Sequence, residues 1–103
     1  MKLTEFVLPR CPYCRRAAEL LEELRAEKPE YAAVGLEVTD ESARPDIAGR
    51  FDYYYVPSFF LGGEKLYEAD PSRSREEDKR LLDEMLGSVL RRGQDRAADG
   101  GRK

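Results

Sequence analysis

Cys11 and Cys14 are the only two thiols in a chain of 103 residues that contains no histidine. A pair of thiols separated by two residues can exchange with disulfides, supply half of a tetrahedral zinc site or, in the CxxCH form, attach haem. Composition narrows these choices. With no further Cys or His a single chain cannot complete a Cys/His zinc site, although a metal shared between two chains stays open. Arg15 stands where haem attachment needs His. A structural disulfide spanning two residues would restrain little of the unfolded chain. Thiol–disulfide exchange is left as the leading chemistry, with no metal ligands and no bound cofactor expected.

That chemistry depends on what positions the pair. Lys2–Leu8 is rich in β-formers, a short apolar run closed by Pro9 that reads as a strand buried on both faces. From Pro12 the spacing turns helical, with Ala17, Ala18, Leu20, Leu21 and Leu24 on one side, and it ends before Pro29. Cys11 then falls near the N-cap, Pro12 at the first helical position and Cys14 in the first turn. Free N–H groups and the positive end of the helix dipole stabilise a thiolate there, and Arg10, Arg15 and Arg16 add positive charge. Cys14, three residues on, shares the face of Cys11 and is placed to attack a mixed disulfide formed on it.

The remaining elements form a consistent frame. Val34–Thr39 reads as a second strand, parallel to the first because a helix intervenes. Arg44–Phe51 suggests a short helix with Pro45 in its first turn. Pro57 then interrupts, and Ser58–Leu61 and Glu64–Glu68 flank Gly62-Gly63 as an antiparallel hairpin. A last helix starts at Ser74 with Glu77 three residues on, a capping box, and carries Leu81, Leu82, Met85, Leu86, Val89 and Leu90 at helical spacing. The order β-α-β-α-β-β-α gives an α/β domain over residues 1–92, a four-stranded mixed sheet with helices on both faces. The tail 93–103, whose only hydrophobic residues are Ala97 and Ala98, is expected to be disordered.

Lys and Arg total 18 against 21 Asp and Glu, a net charge of -3. With both signs interspersed, no basic stripe offers itself to nucleic acid. The longest uncharged run, Tyr53–Gly63, falls well short of the roughly 20 residues that cross a bilayer. Thr4 and Glu5 interrupt the apolar stretch at the N-terminus, which does not read as a signal peptide, so a cytoplasmic monomer is expected.

Cys-Pro-Tyr-Cys followed by Arg-Arg-Ala-Ala-Glu-Leu-Leu resembles the active-site motif and first helix of glutaredoxins. Arg44-Pro45-Asp46-Ile47-Ala48 through Tyr55-Val56-Pro57 looks more like thioredoxin. The resemblance covers about residues 2 to 90 and implies a thioredoxin-like fold. It implies that Pro57 has a cis peptide bond beside the cysteines, with Val56 pairing to substrate backbone; a simple turn before a strand is the plainer alternative. It places Asp70 where glutaredoxins bind the amino group of glutathione, against an ordinary turn residue ahead of Pro71. The family's cation before the first cysteine and its Gly-Gly pair are replaced by Leu8 and by Tyr67-Glu68, so Arg10 is the candidate for the missing charge. Pro12 and Tyr13 complete the expected substrate contacts; Tyr53, Tyr54 and Tyr55 are candidates to line a substrate groove, with half-buried packing as the plainer reading. Glu5 matches the buried acid of thioredoxins that moves the proton of the second cysteine; a solvated acid at a strand end is the other reading.

The expected activity is reduction of protein or glutathione mixed disulfides, with glutathione as co-substrate or a thioredoxin-type reductase as donor. Three alternatives accompany it. They are a thioredoxin- or NrdH-like carrier that ignores glutathione, a dimeric iron–sulfur carrier using Cys11 from two subunits, and a non-enzymatic interaction module.

Overall fold

The computed structural model describes residues 2–101, with side chains as far as Gly93. The disordered tail expected over 93–103 lies, but for Gly93, outside the residues whose side chains are described. The elements are β1 (Lys2–Val7), α1 (Pro12–Glu27), a 3₁₀ turn (Pro29–Ala33), β2 (Gly35–Asp40), α2 (Pro45–Ala48), β3 (Ser58–Leu61), β4 (Glu64–Glu68) and α3 (Arg75–Gly101).

The four strands form one mixed sheet in the order β2-β1-β3-β4, with β2 and β4 at its edges. β1 pairs parallel with β2, from Lys2 opposite Gly35 to Val7 opposite Asp40. On its other side it pairs antiparallel with β3, Glu5 opposite Phe59. β3 and β4 close the hairpin around Gly62-Gly63, with a register shift between Phe59 and Phe60. This is the expected α/β architecture.

Because strand side chains alternate, β1 feeds two cores. Leu3 joins Phe59 and Tyr67 beneath α1 (Ala17, Leu20, Leu21, Leu24) and α3 (Leu82, Met85, Leu86, Val89). Phe6 turns to the opposite face, where Phe60 and Ala48 are buried with Phe51 and Tyr53 packed against them. The Phe6 ring lies 4.8 Å from Phe51 and 5.2 Å from Tyr53, the latter pair stacked. The strand is thus buried on both sides, as its composition implied.

Several boundaries differ from those expected. Leu8 lies outside β1 and is exposed. β2 begins at Gly35 because Val34 closes the 3₁₀ turn, a feature the hydrophobic pattern does not announce. In that turn Tyr31 is buried and donates its hydroxyl to Asp83 of α3, which also accepts from Lys28 at 3.0 Å. α2 is four residues long, not eight, with Arg44 before it and Gly49 ending it. α3 begins one residue after Ser74, and the capping box forms: Glu77 N–H donates to Ser74 Oγ at 3.2 Å and Ser74 N–H to Glu77 Oε1 at 3.1 Å. Among the described residues no helix is long and apolar enough to cross a membrane.

Candidate functional site

Strand β1 ends at Val7, and three residues later the chain enters α1 through Arg10 and Cys11. Arg10 adopts φ 62°, the left-handed region that few non-glycine residues occupy. Cys11 is the N-cap of α1 in extended geometry, and Pro12 opens the helix where its missing N–H is no loss. The first turn brings Cys14 back over Cys11, so that Cys14 N–H donates to Cys11 Sγ at 3.3 Å. Both cysteines are free thiols and partly buried.

The second wall of the site is the segment before β3. The Val56–Pro57 peptide bond is cis, as the family resemblance implied. Cys11 Sγ lies 3.7 Å from the Val56 carbonyl oxygen, to which its thiol donates. Pro57 is buried, and its own carbonyl accepts from Ala69 N–H at 3.0 Å. The structure therefore brings Cys11, Cys14, Val56 and Pro57 together.

The two thiols have different surroundings. Burial pushes the Cys14 thiol up to about 12, helped by its hydrogen bond with Cys11; a contact from the Leu8 backbone opposes this, and the negative charge of Glu5 adds the smallest push upward. Glu5 is 5% exposed on β1, on the face that carries Leu3. It is not the solvated strand-end acid of the alternative reading. Burial raises its carboxyl from 4.5 to about 7, and the Arg25 charge offsets only part of that.

The remaining expected contacts spread around this centre. Tyr13 is half-buried, with the Arg16 guanidinium 5.8 Å from its ring centre. Arg16 is tied to the buried Asp78 of α3 at 3.3 Å, and Asp78 also accepts from Arg73 at 2.9 Å. Asp70 behaves as a turn residue, its Oδ1 accepting from Ser72 N–H at 2.9 Å and Ser72 Oγ at 2.7 Å. Of the three consecutive tyrosines only Tyr53 fits the packing role, donating to Glu41 at 3.0 Å. Tyr54 is 90% and Tyr55 53% exposed, which corrects the expectation for both.

Sequence reasoning missed Glu68. Its Oε2 accepts from Tyr54 N–H at 2.6 Å and Tyr55 N–H at 2.8 Å, a contact that brings β4 to the loop before Val56. Nothing in the local pattern signals it, since the partners lie 14 and 13 residues away.

No curated protein sequence matches the chain. Among solved structures, one described as that of a malarial protein superposes with TM-score 0.54 at 16% identity, covering 82% of this chain and 96% of that one. Thioredoxin 1 from the thermophilic eubacterium Thermosipho africanus TCF52B gives TM-score 0.55 at 15% identity, covering 86% and 98%. At such identities the likeness is one of fold, and the fold is thioredoxin-like. Residues 6–71 match the family model described as glutathione S-transferase, N-terminal domain. The match runs from the end of β1, through the cysteine pair and the cis proline, to the turn ahead of α3, and by it the chain belongs to the glutathione S-transferase N-terminal domain family.

Proposed function

We propose that the chain is a thiol–disulfide oxidoreductase in which Cys11 is the nucleophile and Cys14 the resolving thiol. The observation that carries this reading is the asymmetry of the pair. Cys11 sits at a helix N-terminus with an N–H aimed at its sulfur and the Val56 carbonyl beside it, whereas burial holds Cys14 protonated. Cys11 as thiolate attacks one sulfur of a substrate disulfide, breaking that bond and releasing one thiol, which takes up a proton. Cys14 then loses its proton, attacks Cys11 Sγ and releases the second thiol. The substrate has gained two electrons and two protons, and the chain holds a Cys11–Cys14 disulfide.

Two molecules of glutathione, oxidised together to glutathione disulfide, restore the dithiol. Glutathione is favoured as co-substrate by the family's description. Arg10, exposed one residue before Cys11, offers a cation to its carboxylates. Pro12 and Tyr13 line the approach, and Glu5 accepts the proton of Cys14, which its raised pKa suits near neutral pH. A second reading rests on Leu8 and Tyr67-Glu68, which stand where glutaredoxins carry a cation and a Gly-Gly pair. On that reading a reductase supplies the electrons. The site works without a bound cofactor or metal, on disulfide-bearing proteins, in a reducing compartment such as the cytoplasm.

The deciding assay is reduction of a mixed disulfide between glutathione and a small thiol, coupled to glutathione reductase. Cys11→Ser is expected to lower turnover by about 100-fold or more, while Cys14→Ser retains it, because glutathione alone can release a mixed disulfide on Cys11. Absence of turnover in the wild type selects the reductase-coupled reading; full activity in Cys11→Ser removes the assignment of Cys11.

A further inference from the structure

The segment that presents Val56 to Cys11 is held in an unusual way. Upstream, Tyr53 is fixed by stacking on Phe6 at 5.2 Å. The next two side chains, Tyr54 and Tyr55, project into solvent, so packing does not order their backbone. Their backbone is ordered instead by hydrogen bonds from β4 and the start of β3. Glu68 Oε2 takes both N–H groups, at 2.6 and 2.8 Å. Glu68 Oε1 accepts from Lys65 Nζ at 2.7 Å, and the same ammonium donates to Asp52 carbonyl at 3.2 Å. Ser58 Oγ donates to the Tyr55 carbonyl at 2.6 Å. Glu68 is itself anchored, because Arg73 donates to its backbone carbonyl at 2.6 Å while pairing with the buried Asp78.

We propose that Glu68 is a positioning residue of the redox site, fixing the backbone of Tyr54 and Tyr55 so that Val56 is in place to receive an extended, cysteine-bearing polypeptide. The proposal deepens the oxidoreductase reading and rests on it. A free loop would lose conformational entropy each time substrate docked; a loop already bonded to Glu68 has lost it on folding, which strengthens binding. A carboxylate suits the task because a single oxygen can accept two N–H donors while the other holds Lys65. The backbone of Tyr54 and Tyr55, fixed in this way, leads directly into Val56, whose carbonyl oxygen lies 3.7 Å from Cys11 Sγ.

The test is single-turnover reduction of an extended peptide whose cysteine is held in a mixed disulfide, by the pre-reduced full chain and no external donor. The peptide disulfide breaks to two thiols and the Cys11–Cys14 bond forms, so electrons and protons balance within the pair. Glu68→Ala is expected to raise the half-saturating peptide concentration about 10-fold with a smaller change in the maximal rate. Alkylation of Cys11 by a small haloacetamide and its pH profile should be unmoved, and amide hydrogen exchange at Tyr54 and Tyr55 should accelerate. Glu68→Gln, which keeps the shape and one acceptor oxygen, is expected to fall between, and it decides the matter if Glu68→Ala does not fold. Wild type that fails to reduce the peptide overturns the redox reading and this proposal with it. Wild type that turns over beside variants with unchanged half-saturation overturns the role of Glu68 alone. Altered Cys11 alkylation in step with peptide reduction also overturns it, because the residue would then support the whole site rather than the docking loop.

Discussion

Glu5 is where burial and charge oppose each other most directly. Its carboxyl titrates at about 7 in the folded chain against 4.5 as the ordinary value, because the interior penalises the charged form. The folded state therefore holds this proton more tightly than the unfolded chain does. The stability tied to it is fully present below about pH 4.5, declines as pH rises and is gone once the carboxyl has ionised above about pH 7. A shift of this size corresponds to about 3 kcal/mol. Glu5→Gln removes the ionisation, so in urea denaturation the variant is expected to gain up to about 3 kcal/mol over wild type near pH 8 and nothing from this source near pH 4.5. A constant difference across that range would refute the shift. The same substitution reports on chemistry: if Glu5 accepts the Cys14 proton, Glu5→Gln flattens the pH–rate profile of turnover near neutrality.

At the scale of the elements, the β3–β4 hairpin shows how a turn sets register. Gly62 has φ 62°, and a Cβ placed there would meet nothing within 4 Å. Its requirement for glycine is purely one of backbone conformation. Gly62→Ala should cost about 1 kcal/mol in equilibrium unfolding, whereas Gly63→Ala, in equally open space without the positive φ, should cost clearly less. Equal losses would show that the strain is not what matters. This hairpin was legible in the sequence with its true bounds, because a glycine pair between runs of β-formers allows little else. α1 and the capping box of α3 were legible for the same reason, their signals being local. The 3₁₀ turn was not, since Tyr31 is buried through a tertiary bond to Asp83 rather than through any periodicity. Glu68 was illegible likewise: as a strand-end residue it looks like a departure from a family motif, and only the folded chain brings it to Tyr54 and Tyr55. Cys11, Cys14, Pro57 and Val56 could be assembled beforehand because a motif and a family resemblance carry them.

For the molecule as a whole, β1 is the member that joins two cores and leads, through residues 8–10, to the cysteine pair. Phe6 is fully buried and contacts Phe51, Tyr53 and Phe60 on the face away from α1 and α3. Phe6→Ala should cost about 3–5 kcal/mol, a large part of what a domain of this size possesses. Because Tyr53 stacks on the deleted ring, turnover at temperatures below unfolding should fall as well; thermal unfolding and activity measured together check both. The sheet that carries all this also has two open sides. A free strand edge is a template on which another chain can extend the sheet, the route to fibrils and to accidental dimers. Here β2 bears Glu37, paired with Lys2 at 3.6 Å, and ends in Asp40, while β4 bears Glu64 and Lys65. A strand arriving on either side would have to strip water from these charges, so the rims of the sheet act as guards against self-assembly even though Val38 stands 57% exposed between them.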